Sequence, residues 1–150
     1  LVADHVTKSL GCPSFVKPFS ELDTVEGQLL IFIDSPSKSL LSDVSIDIFD
    51  SLKKNLLGAR GVLWVVPENH SPEAELMRGM LRTKRLENTS RYYFYLENTS
   101  CDKQGALAIT KLARRLRDPE LAAGSIDQDF VWHEGRIQLP RFRPLATAKD

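Results

Sequence analysis

Cysteine is scarce in this chain, long apolar runs are missing, and neither sign of charge is in excess. Each absence excludes something. The two cysteines, Cys12 and Cys101, stand far apart and outside any Cys-x-x-Cys pair. A disulfide framework needs more of them at this size, so both are expected as reduced thiols of a cytoplasmic protein. No apolar run approaches the ~20 residues of a membrane span. Twenty basic residues balance twenty acidic ones. That balance argues against a general nucleic-acid binder, which needs a basic field to release counterions, and leaves room for a local basic patch. The opening Leu1-Val2-Ala3-Asp4-His5 has no Met and no basic flank. The expectation is a segment of a longer chain, without a leader peptide. The Asn-x-Ser/Thr triplets at Asn88 and Asn98 carry little meaning in that context.

What is present is alternation. At 150 residues, 42% of them hydrophobic, the chain suits one domain with a real core. Leu1, Val2, Val6 and Leu10 have helical spacing, and Gly11 ends that helix. Gln28 to Ile33 is apolar on both faces, as a central parallel strand would be. A helix is expected from about Ser42 to Leu57, with Val44, Ile48, Leu52 and Leu56 on one side and Gly58 as its stop. Gly61 to Val66 is a second buried strand, stopped by Pro67. Ser71-Pro72-Glu73-Ala74-Glu75 reads as a capped helix start leading to about Leu86. Arg91 to Leu96 is a third strand and Gln104 to Leu116 a third helix. Phe130-Val131-Trp132, a turn at His133-Glu134-Gly135, and Arg136 to Leu139 form a hairpin. This order predicts an α/β fold with a mostly parallel sheet, helices on both faces and right-handed connections. Leu-Glu-Asn-Thr-Ser occurs at 86–90 and again at 96–100, once after a helix and once after a strand, so it is no structural repeat.

Such a fold invites a test for cofactor chemistry, and the residues fail it. A dinucleotide site needs glycines just after its first strand, where the backbone meets the pyrophosphate. Here Asp34-Ser35-Pro36-Ser37-Lys38 follows the first strand and Pro67-Glu68-Asn69-His70 the second. Neither has a glycine. No Gly-x-x-x-x-Gly-Lys loop and no Gly-x-Ser-x-Gly elbow occurs. A short-chain reductase pairs its tyrosine with a lysine four residues on. Tyr92, Tyr93 and Tyr95 are followed at that distance by Leu96, Glu97 and Thr99. They read as sheet residues. His5, His70 and His133 lie in different elements, without clustered zinc ligands. The expectation is therefore no catalytic, cofactor-binding or metal-binding residue.

The charged helices read as structural. Arg82, Lys84 and Arg85 offset the dipole at a helix C-terminus, and Glu75 lies at pairing distance from Arg78 or Arg82. Arg114, Arg115 and Arg117 form a solvated or docking face. Trp64 belongs to the core, whereas Trp132 is the better candidate for an interdomain contact.

Three stretches together resemble one family. Val62-Leu63-Trp64-Val65 leads into Gly79-Met80-Leu81-Arg82-Thr83-Lys84-Arg85-Leu86-Glu87, similar to the Gly-x-x-Arg-Ser/Thr-x-Arg-x-Glu segment of ketoreductase structural domains in polyketide synthases. Asp129-Phe130-Val131-Trp132-His133-Glu134-Gly135 and the following residues to Pro140-Arg141-Phe142 resemble their closing Glu-Tyr-x-x-x-Asp-Gly-x-x-x-x-Pro-Arg segment. Asp129-Phe130 stands in for Glu-Tyr, and His133-Glu134-Gly135 replaces the usual acid-rich turn. Order and spacing resemble the pseudo-ketoreductase region of fungal highly reducing polyketide synthases over about residues 1 to 145.

That resemblance implies a truncated, Rossmann-like, noncatalytic structural domain. It would brace the catalytic ketoreductase beside a C-methyltransferase and an enoylreductase in one homodimeric megasynthase. NADPH, S-adenosylmethionine and phosphopantetheine would serve the parent and not this segment, and no nucleic acid or membrane partner is implied. Gly79, Arg82, Arg85 and Glu87 transfer as structural residues. Gly79 is expected to permit close helix–sheet packing, and Arg82 or Arg85 to pair with acids at a domain border. The expected division is an N-terminal helix and linker over 1–20, a βα core over 21–125 and a closing hairpin over 126–145. The competing readings are a small-ligand module of the same fold and a half-site that completes a reductase active site with another chain.

Overall fold

The computed structural model describes residues 2–11, 16–19, 22, 26–35, 38–100, 102–118 and 128–139. In chain order these form α1 (Val2–Leu10), β1 (Leu29–Ile33), α2 (Ile46–Gly58), β2 (Gly61–Pro67), α3 (Leu76–Glu87), β3 (Tyr92–Thr99), α4 (Lys103–Arg117), β4 (Asp129–His133) and β5 (Arg136–Gln138). The strands make one sheet in the order β1-β2-β3-β4-β5. The first three pairings are parallel, and β4 with β5 is the antiparallel hairpin. The α/β class, the flanking helices and the terminal hairpin are as the alternation predicts. Cys12, Cys101, Pro36 and Pro140-Arg141-Phe142 lie outside the described residues.

The side-chain period of two splits the sheet into two cores. Leu30, Val62, Trp64, Val66, Tyr93 and Tyr95 face Leu52 and Leu56 of α2 and Met77 and Leu81 of α3. On the other face, Leu63, Val65, Phe94, Leu96 and Phe130 meet Val6 and Leu10 of α1 and Ile109, Leu112 and Leu116 of α4. All seven residues of β2 are buried. Phe32 and Trp64 are register partners, and their rings stack at 3.8 Å. Phe94 meets Phe130 edge-on at 5.3 Å across the opposite face.

The winding differs from the expected uniform right hand. All three crossovers step the same way across the sheet, from β1 to β4. Yet α2 and α3 lie on one face and α4 on the other. Crossovers that step alike on opposite faces have opposite hands, so the three cannot all be right-handed. The order also never reverses among the described strands. A doubly wound dinucleotide sheet opens its crevice at such a reversal.

Local chemistry moves two helix starts. Instead of one helix from Ser42, a 3-10 turn spans Leu40–Ser42 and α2 begins at Ile46. Ser39 Oγ accepts from the Leu41 amide at 3.2 Å, and Ser45 Oγ from the Ile48 amide at 3.2 Å. Two serine caps divide the segment, leaving Val44 outside the helix and 43% exposed. The second start, at Ser71, also differs. Pro72–Glu75 is a 3-10 turn, α3 begins at Leu76, and Ser71 makes no side-chain cap. Its backbone carbonyl accepts from the Ala74 amide at 3.1 Å, which closes the tighter turn.

Two glycines separate close packing from open space. A Cβ on Gly105, in the first turn of α4, would lie 1.8 Å from the Ser100 carbonyl oxygen. A Cβ on Gly79 would meet nothing within 4 Å. The close helix–sheet packing expected of Gly79 is therefore not what the fold uses it for. That residue is exposed on α3, and the tight approach belongs to Gly105.

Opposite outcomes follow for the two alanine variants in urea unfolding. Gly105→Ala is expected to lose about 1–3 kcal/mol or more through overpacking against backbone. Gly79→Ala is expected to gain about 0.5–1 kcal/mol through helix propensity. Equal midpoints for the two variants would refute this placement of the close contact.

Candidate functional site

Open α/β sheets hold ligands beyond the carboxyl ends of their strands. Here that end is occupied by acids of the chain itself. After β1, Asp34 is buried at 3% exposure. Its Oδ1 accepts from the Ser35 and Leu40 amides, each at 2.9 Å, and its Oδ2 from the Ser39 hydroxyl at 2.6 Å. Backbone amides in such a loop are the donors a phosphate would use. The Asp34 carboxylate already takes two of them, those of Ser35 and Leu40, and its charge opposes a second anion.

The N-terminus of α4 is closed in the same way. Asp102 Oδ1 accepts from the Ser100 hydroxyl at 2.8 Å and from the Gly105 amide at 3.1 Å. The hydroxyl first, then the amide, holds this carboxyl below its ordinary range. After β2, His70 Nδ1 lies 2.9 Å from the Pro67 carbonyl oxygen, a contact in which the ring N–H donates. Its Nε2 lies 3.4 Å from Glu75 Oε1. The Glu68 amide donates to the Thr99 carbonyl at 3.0 Å, tying this loop to the end of β3.

One cluster escaped the sequence reading. Ligand atoms of His70, Glu75 and Glu97 lie within 4.8 Å of one another. Glu97 comes from β3, and no local spacing signals its approach to the β2 loop. Arg78 is ion-paired with Glu97, and its guanidinium sits 5.1 Å over the Tyr95 ring. A cation of the chain thus already neutralises Glu97, and the group is an ion-pair network. Burial foremost, then Glu97, pushes the Tyr95 hydroxyl well above the usual phenol range. It stays neutral, in keeping with Tyr93 and Tyr95 as buried sheet residues.

The motif arginines converge on one acid. Arg85 Nη2 donates to Asp129 Oδ1 at 2.9 Å and to the Gln128 carbonyl at 3.1 Å, while its Nε donates to the Tyr93 carbonyl at 2.8 Å. Arg82 Nε donates to Asp129 Oδ2 at 3.0 Å. The acid expected at a domain border is thus in this chain's own hairpin strand. Arg78 and Arg82 pair with Glu97 and Asp129, not with Glu75 as helix spacing allowed. Glu87 pairs with Lys84 at 3.0 Å on the helix surface.

Trp64 is fully buried. Trp132 packs against the α4-side core and accepts from Asn98 Nδ2 at 3.1 Å through its carbonyl. Arg117 donates to the Leu10 carbonyl, joining α4 to α1. Arg115 lies 6.0 Å over the Phe130 ring. His133 is exposed beside Glu134 at the hairpin turn. Among the described residues, no helix is long and apolar enough to cross a membrane.

Comparison with known proteins gives a consistent set of relatives. The chain is 44% identical over 149 residues to the highly reducing polyketide synthase PKS2 of Leptosphaeria maculans, covering 99% of this chain. It is 39% identical over 149 residues to ACRTS2 of Alternaria alternata and 41% identical over 137 residues to valA of Aspergillus terreus, both also named highly reducing polyketide synthases. The chain spans 6% of the length of the first two and 5% of the third. No protein-family profile matches it, and no solved structure does.

The Asp129 clamp has a pH signature. Burial alone would raise this carboxyl, but Arg85, then Arg82, outweigh it and hold it below its ordinary value. A carboxyl that titrates lower when folded adds stability above its unfolded pKa, ~4. That contribution drains away as pH falls through the folded value. Asp129→Asn is expected to cost about 1–3 kcal/mol at neutral pH, with the gap to wild type closing in acid. Denaturant midpoints at both pH values measure it, and a gap constant down to acid pH would rule the clamp out.

Proposed function

On the premise that this chain is homologous to one segment of the fungal highly reducing polyketide synthases, we propose that it is a noncatalytic structural domain of such a synthase. It is the pseudo-ketoreductase region, a Rossmann-like body that binds no cofactor and braces the catalytic ketoreductase. The C-methyltransferase and enoylreductase of the same chain are its further neighbours. The parent is an enzyme of polyketide assembly that draws on NADPH, S-adenosylmethionine and phosphopantetheine elsewhere in its length, works as a homodimer and resides in the cytoplasm.

The observation that carries this reading is the filled cradle after β1. Asp34 takes two backbone amides and a hydroxyl where a pyrophosphate would need free donors. The self-capped α4 and the unreversed strand order support it from two further directions. The reading is also supported by length: the relatives are highly reducing polyketide synthases of which this chain spans 6%, which leaves room for the chemistry elsewhere in such a parent.

What remains for such a body is mechanical. Cores on both faces of one sheet make a stiff block, and rigid surfaces hold neighbouring active sites at fixed separations. The basic face of α4 and the apolar residues at the start of α2, Ile46 and Phe49, are surfaces available to neighbours.

Titration calorimetry of the chain with NADPH and with S-adenosylmethionine tests the reading. Neither is expected to give saturable heat. Micromolar binding of either one at the strand tips would overturn it.

A further inference from the structure

The sequence of β1, Leu29-Leu30-Ile31-Phe32-Ile33, is apolar on both faces. That pattern belongs to strands whose two faces are both covered. In the sheet, however, β1 is an edge, paired with β2 alone among the described residues. Its burial reflects this. Ile33 is 48% exposed, whereas every residue of β2 is buried.

Edge strands in soluble domains are blunted by charge, proline or a bulge. β1 has none of the three: its five residues are uncharged, include no proline and pair with β2 in unbroken register. The direction of its free groups follows from the bonds it already makes. The Asp34 amide donates to the Val65 carbonyl at 2.9 Å, and the Arg60 amide donates to the Gln28 carbonyl at 2.8 Å. Within a strand, N–H and C=O groups point alternately to the two sides. Even-numbered residues therefore serve β2, and Leu29, Ile31 and Ile33 direct theirs outward.

We infer that the outer edge of β1 is a docking edge for an extended strand supplied by the parent synthase from outside these 150 residues. The main chain of that strand would bond to Leu29, Ile31 and Ile33, and apolar side chains on both of its faces would extend the two cores. The source of the strand follows from length: the chain spans 6% of its relatives, so most of the parent lies beyond it. The inference rests on the reading of the chain as one segment of a larger synthase, and it turns the bracing role into a specific contact.

A cryo-electron microscopy map of the full-length synthase tests it directly. The expected result is a strand from outside residues 1–150 hydrogen-bonded to Ile31 and Ile33. A bare edge overturns the inference, and so does an edge covered by residues 12–28 of this chain. Hydrogen exchange in the same full-length protein gives a second readout. Ile31→Pro removes an outward amide and spares the bonds to β2, so it is expected to speed exchange at Ile33 by about tenfold or more. Unchanged exchange at Ile33 counts against the docking edge. The two proposals fail separately. An unpaired edge without NADPH binding removes the docking strand and leaves the noncatalytic reading intact, whereas NADPH bound at the strand tips removes that reading.

Discussion

The structure depends most on a clamp between helix α3 and strand β4. Among the described residues, three register pairs join β4 to the parallel sheet: Tyr95 with Asp129, Leu96 with Phe130 and Glu97 with Val131. Such a short ladder is a weak attachment for a terminal hairpin. Arg85 reinforces it from above, bonding to carbonyls on both sides of the junction and to the Asp129 carboxylate. Arg82 takes the other carboxylate oxygen. Gln128 completes the joint, its side-chain oxygen accepting from the Tyr93 amide at 2.9 Å and its carbonyl from the Tyr95 amide at 2.9 Å. Charge-assisted bonds of this kind, half-buried and sharing one acceptor, are stronger than exposed ion pairs. They carry the motif's meaning: two arginines three residues apart lie on one helix face, and that face looks at the hairpin.

The opposite end of the sheet obeys a different constraint. Buried or semi-buried amides at loop and helix starts need acceptors. A cofactor-binding domain leaves them for phosphate. This chain satisfies them internally, through Asp34 after β1 and Asp102 before α4. The arrangement stabilises the loops and spends the donors at once. Beside the β2 loop, Arg78 pairs with Glu97, and His70 Nε2 lies 3.4 Å from Glu75 Oε1. The described tips are thus held by the chain's own groups, and the relatives of the chain are much longer polyketide synthases.

Elements written in periodicity were legible in advance. The strands around Ile31, Trp64 and Phe94, the helix around Ile109 and the Glu134-Gly135 hairpin each carry a local signature of pattern or turn chemistry. Both turn residues have positive φ, 48° at Glu134 and 77° at Gly135, as a two-residue hairpin loop requires. Helix starts were less legible, because Ser39, Ser42, Ser45 and Ser71 are all plausible caps and only the folded backbone selects among them. The role of Gly79 is illegible for the same kind of reason: a glycine in a motif does not say which neighbour it faces, and here it faces open space.

The amino-acid order alone determined the alternation of strands and helices, the two-faced apolar strands and the lack of a glycine cradle, since all three are properties of adjacent residues. Tertiary structure decided what distance along the chain conceals. It brought Asp129 to Arg82 and Arg85, Glu97 to Arg78 and His70, and α4 to the face opposite α2 and α3. It also placed an apolar strand at an edge. Each of these is a long-range pairing set by how whole faces of the sheet are buried, and no local pattern encodes the identity of a partner so far along the chain.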